Sequence, residues 1–431
     1  MSGPAEALPD PDQLNSALIK HMKEEGTLTS TTVEAAFRAV PRHLFLSHLP
    51  LEEVYRDQAI TTKLINSQPV SSSSQPSIMA IMLQQLDVLP NQSVLEIGAG
   101  TGYNAALLSH LVGPGGNVVT IDIDQDIVEQ AQINLKQAGC ANVQVVCADG
   151  ALGFPALAPY DRIMLTVHSR DIAPAWREQL ASAGRLVLPL SLQGPQVSVA
   201  FDHQGDHLES VSTRSCGFIE LRGSLSESNQ GIPGQIIPLQ PPEPISIRLG
   251  SPSNQIDGAT IFQLLHSPYQ EVVVPMQMTR EELASGFILW LSMHHPAFCE
   301  LIAFNQLAEK NLVPPLFQYN NKVKVNTAIG LVGKGELSLL TWDDPASVVL
   351  YQTTEATTPL GLKIRWYGSP QQLAEELKAQ LLAWKMAGRP TELNLRILAY
   401  ALTANQEPLL PVEDPSMVVV IRRYTRFVCT W

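Results

Sequence analysis

Sulfur and charge are both scarce in this 431-residue chain. Five cysteines occur, Cys140, Cys147, Cys216, Cys299 and Cys429; the number is odd and no two form a CxxC pair. A disulfide framework and a zinc site are therefore not expected, and no metal is assigned. Free, mostly buried thiols in a reducing cytoplasm are the expectation. No apolar run reaches about 18 residues, so no membrane span is expected. Residues 1–30 lack the basic-then-apolar pattern of a signal peptide, which agrees with a cytoplasmic setting. Charged residues make up only 16% and the net charge is −13. A nucleic-acid partner usually calls for a basic surface, so none is expected. The chain carries no internal repeat.

What is present is apolar: 45% of the residues, enough to bury sizeable cores. The length implies two domains. Residues 12–25 read as a helix, with Leu14, Leu18 and Met22 at fourfold spacing, and 31–39 as another, capped by Ser30 or Thr31. From Val94 strands and helices alternate. "SVLEIG", "NVVTIDI", "NVQVVCAD", "YDRIMLTV" and "GRLVLPL" read as strands; "TGYNAALLSHLV" and "QDIVEQAQINLKQAG" read as helices. That alternation predicts an α/β fold, a doubly wound parallel sheet behind an N-terminal helical cap, over residues 1–223. The Gly-, Ser- and Pro-rich stretch 224–244 reads as a linker. Residues 245–431 read as an α+β accessory domain with short strands, "MVVVIRRYTRFVCTW" among them. One amphipathic helix there carries Leu373, Leu377, Leu381 and Trp384 on one face. "VGKGE" (332–336) reads as a hairpin turn, and His294-His295 as structural or surface residues.

The strongest chemical signal is "EIGAGTG" (96–102). Gly98, Gly100 and Gly102 fall in a strand-to-helix turn, where glycine allows positive φ and close approach of a ligand to the backbone. Twenty residues beyond Gly102, Asp122 ends the next strand, placed to accept hydrogen bonds from ribose hydroxyls, with Asp124 a competitor. Asp149-Gly150 ends the third strand, where an adenine edge would lie. A nicotinamide dinucleotide and S-adenosylmethionine both suit this outline. The GxGxG spacing favours S-adenosylmethionine, as does Glu96, suited to the cationic amino-acid end of that cofactor.

"VLEIGAGTGYNAALLSHL", "DGALGFPALAPYDRIMLTV" and "QLASAGRLVLPL" closely resemble the protein-L-isoaspartate (D-aspartate) O-methyltransferases, as does "VPRHLF" followed by Tyr55 and Asp57. The resemblance covers roughly residues 12–223. It implies a Rossmann-like class I methyltransferase domain, S-adenosylmethionine as methyl donor, and an isoaspartyl or aspartyl carboxylate of a protein or peptide as acceptor. It also implies that Ser74, before "QP", meets the acceptor carboxylate, with Ser73 beside it on the substrate side. Three departures bear on the acceptor. The segment between Asp57 and Ser74 is long, Ser72-Ser73 replace the usual Thr-Ile, and His168, Ser169 and Arg170 stand where small residues are usual. His168 and Arg170 are therefore candidate substrate contacts. The large second region resembles the longer bacterial branch, some of whose members methylate an aspartate in a precursor peptide. Protein repair, precursor tailoring and a cofactor-binding adaptor without turnover are the three readings carried forward.

Methyl transfer to a carboxylate needs no strong base, because the carboxylate is already ionised near neutral pH. Position and exclusion of water carry the rate. Ser74 would orient an oxygen rather than act as a nucleophile. Local structure offers a second role: Ser74 or Gln75 could cap the helix that begins at Pro76, with Ser71–Ser73 as loop.

Overall fold

The computed structural model describes residues 10–66, 68–226, 236–240, 243–250, 256, 258–304, 312–320, 324–344, 357–402 and 417–431. They form two compact units. The first takes residues up to Ser191, 196–226 and 396–430; the second takes 192–195, 227–395 and Trp431.

The first unit opens with α1 (Pro11–Glu24) and α2 (Thr31–Ala39), close to the predicted spans. Asp10 caps α1 by accepting from the Asp12 amide, and Ser30 caps α2 by accepting from the Val33 amide. A short α3 (Leu51–Val54) follows. The hairpin β1 (Ile60–Ile65) and β2 (Gln68–Ser73) comes next, then α4 (Pro76–Leu86). The reading of Ser71–Ser73 as loop is corrected here. Ser71 and Ser73 are buried on one side of β2, and the Thr62 hydroxyl donates to Ser71 Oγ. Their polar partners hid the strand from an apolar periodicity.

The alternating part then unfolds as expected: β3 (Ser93–Ile97), α5 (Tyr103–Val112), β4 (Asn117–Asp122), α6 (Gln125–Gln137), β5 (Val143–Cys147), β6 (Tyr160–Leu165), α7 (Pro174–Gln179) and β7 (Leu180–Ser191). β8 (Gln196–Gln204) and β9 (His207–Cys216) extend the sheet antiparallel. Pairing is parallel from β5 through β4, β3 and β6 to β7. The chain leaves β3 towards β4 and β5, then returns to β6 on the other side. That reversal makes a topological switch point, and ligands of such sheets bind at the carboxyl ends of the strands beside it. Val94, Val118, Met164, Val187 and Ala200 share one core with Leu18, Phe37, Met82 and Leu107, so the N-terminal helices, α4 and α5 cover one face.

The second unit holds β10 (Ile236–Gln240), β11 (Glu243–Leu249), α8 (Gly258–Leu265), β12 (Tyr269–Met278), α9 (Ile288–His294), β13 (Phe298–Phe304), β14 (Phe317–Asn320), β15 (Lys324–Gly333), β16 (Glu336–Trp342), β17 (Leu360–Gly368) and α10 (Gln372–Met386). The strands form one antiparallel sheet ordered β10-β11-β13-β15-β16-β17-β12, with β14 on β15. Leu377, Leu381 and Trp384 of α10 are buried in its core, and Leu373 packs against it. Gly335, at φ +85°, turns the β15–β16 hairpin where "VGKGE" is found. His294 stacks on Trp290 and His295 pairs with Glu376.

Two boundaries differ from expectation. Part of the predicted linker, Ile236–Gln240, is strand β10; its residues 227–235 and 241–242 lie outside the described residues. The predicted accessory domain does not run to the end of the chain. β18 (Arg396–Ala401), β19 (Met417–Ile421) and β20 (Thr425–Thr430) belong to the first unit, where β18 pairs with β9 and the sheet reads β19-β20-β18-β9-β8-β7-β6-β3-β4-β5. An apolar run such as "MVVVI" marks a strand but carries no information about which sheet takes it.

Candidate active site

The glycine turn is built by the ends of β3 and β4. Gly98 and Ala99 amides both donate to the Ile121 carbonyl, at 2.8 and 3.0 Å, and the Gly102 amide donates to the Ala99 carbonyl at 2.8 Å. Gly98, Gly100 and Gly102 have φ of +104°, +51° and +85°, a region that a side chain makes costly. A Cβ on Gly98 would stand 2.5 Å from Thr166 Oγ1. Thr166, at the end of β6, donates its hydroxyl to the Gly98 carbonyl at 2.7 Å and locks the turn from the other side. The result is a partly buried backbone cradle at the switch point.

A cavity opens there. Gly98, Gly100, Ile121, Asp122, Ile123, Gly150, Thr166 and Val167 line it, together with Val70, Ser71 and Ser72 of the hairpin and Ile219–Arg222. Four predicted site residues thus meet: Gly98, Gly100, Asp122 and Gly150. Asp122 Oδ2 accepts from the Gly100 amide at 3.1 Å and Oδ1 from the Asp124 amide at 3.3 Å. Burial pushes its carboxyl above the ordinary aspartate value. Asp124 is engaged elsewhere. Arg222 grips both its oxygens, at 3.1 and 2.8 Å, and Lys63 Nζ sits 2.8 Å from Oδ2. The Arg222 hydrogen bonds hold its carboxyl below the ordinary value. Lys63 also reaches Asp126 at 2.7 Å. The hairpin that closes over the cavity is therefore latched by Lys63 to the loop after β4. Neither Lys63 nor Arg222 is among the predicted site residues, although Arg222 lies in "CGFIELRG", the last stretch of the family resemblance.

Three predicted cofactor residues do not line the cavity. Gly102 is the N-cap of α5, packed near Leu135. Asp149 accepts from the Ala151 amide at 3.0 Å and the Ser224 amide at 2.7 Å, so it builds a turn and ties down the 223–224 loop. Glu96 points to the opposite face from Ile97, as strand alternation requires. It is fully buried, accepting from Asn104 Nδ2 at 2.7 Å and the Thr120 hydroxyl at 2.6 Å. Its place is under α5, not in the cavity.

Burial pushes the Glu96 carboxyl up to about 7. A folded value above the unfolded one means that ionising Glu96 costs stability. The cost is absent below about pH 4.5 and grows as pH rises towards about 7. Glu96→Gln keeps both hydrogen-bond partners within reach and removes the charge. The variant is expected to gain on the order of 2 kcal/mol over the wild type at pH 8 and nothing at pH 4.5, measured by denaturant unfolding. Parallel stability curves over that range would show that Glu96 is not the titrating group.

The serines differ in what they meet. Ser73, expected on the substrate side, is buried and lies 3.4 Å from Arg42 Nη2. Ser72 and Ser71 line the cavity. Ser74 follows β2 directly; its carbonyl accepts from Arg42 Nη2 at 3.0 Å, while its hydroxyl makes no hydrogen bond among the described residues. Neither Ser74 nor Gln75 caps α4 through its side chain. Asp57 does so from a distance, accepting from the Ser77 amide at 2.8 Å, the Ser77 hydroxyl at 2.7 Å and Gln75 Nε2 at 2.8 Å. The start of α4 is thereby already matched with a carboxylate.

His168 follows Val167 and bridges in parallel to Glu220, its amide donating to the Ile219 carbonyl at 2.8 Å. Its Nδ1 is buried without a partner. Burial and nearby Arg170 push the imidazole below its ordinary value, with Glu220 opposing. His168 and Arg170 are partly buried and are not among the residues that line the cavity. Among the described residues no cluster of three or more His, Cys, Asp or Glu could hold a metal, and no helix is long and apolar enough to cross a membrane.

Comparison with known proteins gives a consistent result. Residues 13–226 match the family model described as Protein-L-isoaspartate(D-aspartate) O-methyltransferase (PCMT). A protein-L-isoaspartate O-methyltransferase of Herpetosiphon aurantiacus is 37% identical over 190 residues, 44% of this chain and 81% of its own. Protein-L-isoaspartate O-methyltransferase 2 of Archaeoglobus fulgidus is 33% identical over 214 residues, 50% of this chain and 95% of its own. The Thermotoga maritima relative is 38% identical over 173 residues, and the match spans 54% of its length. Among solved structures, one protein-L-isoaspartate O-methyltransferase is 23% identical with a TM-score of 0.48, covering 89% of this chain and 96% of its own. A Plasmodium falciparum structure, described as a putative enzyme of this type in complex with S-adenosyl-L-homocysteine, is 16% identical with a TM-score of 0.43, covering 48% and 98%.

Proposed function

Because this chain belongs to the protein-L-isoaspartate O-methyltransferase family, we propose that it uses S-adenosylmethionine to methylate an isoaspartyl or aspartyl carboxylate in a protein or peptide. The observation that carries the reading is one cavity walled by the glycine turn and Asp122 on one side and by the serine hairpin on the other. The residues fit the cofactor. Positive-φ glycines leave backbone open where a Cβ would intrude, and a partly buried carboxylate faces the space where ribose hydroxyls would sit. Ile121, Ile123, Val167 and Leu221 give an apolar wall suited to a purine ring. When bound, the cofactor supplies a methyl group on a sulfonium, which an ionised carboxylate can accept without a general base.

The chain's own work is placement. Asp122 holds the ribose end. Ser74 Oγ donates to one oxygen of the acceptor carboxylate and leaves the other free to attack. The hairpin excludes water from the reacting atoms. His168 and Arg170 shape the acceptor end. The test is labelled-methyl incorporation into an isoaspartyl peptide, its aspartyl counterpart, and any small peptide encoded beside the gene. Preference for the first supports a repair enzyme, and for the last a precursor-tailoring enzyme. Cofactor binding without turnover on any of the three would leave an adaptor.

The Lys63 latch gives a separate expectation. Lys63→Met should release bound cofactor faster, by up to about fivefold, since partly exposed ion pairs contribute modestly. Stopped-flow displacement measures this, and high salt should narrow the gap between variant and wild type. Equal release rates at low salt would mean that the hairpin does not hold the cofactor in.

A further inference from the structure

Arg42 is fully buried, yet among the described residues no carboxylate pairs with it. Its guanidinium bridges two places in the chain. Nη1 donates to the Arg56 carbonyl at 3.5 Å; Nη2 lies 3.4 Å from the Gln58 carbonyl, 3.4 Å from Ser73 Oγ and 3.0 Å from the Ser74 carbonyl. The ring of Tyr103, the first residue of α5, lies 5.8 Å from its Cζ. Burying an arginine without an acid is expensive, so the fold tolerates it only where its fork replaces something else. Here it replaces regular pairing. β2 ends at Ser73, α4 begins at Pro76, and the 56–58 loop lies outside any strand. Arg42 ties that loop to Ser73, the last residue of β2, and to Ser74, the first residue after it. Asp57, between Arg56 and Gln58, fixes the next residues through Ser77 and Gln75. Ser74 is thus clamped from both sides, with a positive charge directly behind its backbone.

We propose that Arg42 is the positioning residue of the acceptor end. It fixes the turn that presents Ser74 and sets a buried cation behind the point where an anionic carboxylate arrives. This rests on the reading of Ser74 above. Arg42 touches neither cofactor nor acceptor and acts through Ser74.

The test measures acceptor kinetics with an isoaspartyl peptide, cofactor affinity by calorimetry and thermal stability. Arg42→Lys and Arg42→Met are each made alone and on Ser74→Ala. Arg42→Lys keeps the charge and loses the fork. A displaced serine is expected to lower kcat/KM for the acceptor about tenfold in Arg42→Lys and about 100-fold in Arg42→Met. Cofactor affinity should stay within about twofold, and on Ser74→Ala the Arg42→Lys change should cost less than about twofold more. Three results would overturn the proposal: unchanged acceptor kinetics in Arg42→Lys, cofactor affinity falling in step with activity, or full losses adding on top of Ser74→Ala. If Ser74→Ala alone leaves turnover intact, the Ser74 reading fails first and is recognised by that single variant. Where Arg42→Met does not fold, Arg42→Lys decides.

Discussion

Asp122→Ala is expected to weaken S-adenosylmethionine binding by about 100-fold, because a carboxylate that accepts from ribose hydroxyls contributes roughly 1.5–3 kcal/mol per bond. Asp122 is well prepared for that task. It is mostly withdrawn from water, which pushes its carboxyl up and makes added donors valuable. It also holds the Gly100 amide, so its loss loosens the glycine turn as well. Isothermal calorimetry of the folded variant measures the effect directly. The matched control is Asp124→Ala, whose oxygens are taken by Arg222 and Lys63. It should cost far less affinity and act through the latch. Unaltered binding in Asp122→Ala, with a large loss in Asp124→Ala, would move the ribose contact by two residues.

Ser74→Ala should produce the complementary pattern. A hydroxyl donating to a charged oxygen contributes roughly 1.5–3 kcal/mol, so kcat/KM for the acceptor should fall about 10- to 100-fold. Cofactor affinity should hardly change, since Ser74 is not among the residues that line the cavity. Steady-state kinetics with varied acceptor at saturating cofactor separates the two. Turnover equal to wild type would remove Ser74 from the acceptor site and would shift attention to Ser71 and Ser72, which do line the cavity.

The α/β core was legible because its signals are local. Five strands and their helices follow from short apolar runs with glycine punctuation, and the sheet end where the cavity opens follows from topology. Gly98, Gly100, Asp122 and Gly150 could be placed for that reason. Glu96 and Asp149 could not. Both stand beside the glycine turn and strand end in sequence, but strand alternation turns one under α5 and a backbone turn consumes the other. The hairpin was missed because its inward residues are Ser71 and Ser73, satisfied by Thr62 and Arg42 rather than by an apolar core. Asp57 capping α4 across 20 residues, and Lys63 reaching Asp124 across 61, are pairings between distant positions. Such pairs have no period and no motif.

β18–β20 have a consequence for how the chain is made. The second unit is an insertion: residues 227–395 are interposed between β9 and the strand that pairs with it. During synthesis β9 therefore emerges long before its partner. At about 5–20 residues per second, its outer edge waits on the order of ten seconds or more for β18. An unpaired edge is a template for other chains. The inserted unit thus sets a delay in the folding of the unit that carries the site. Removing 227–395 and joining the flanks by a short linker should shorten it, while cutting the chain at 395 should leave β9 open for good.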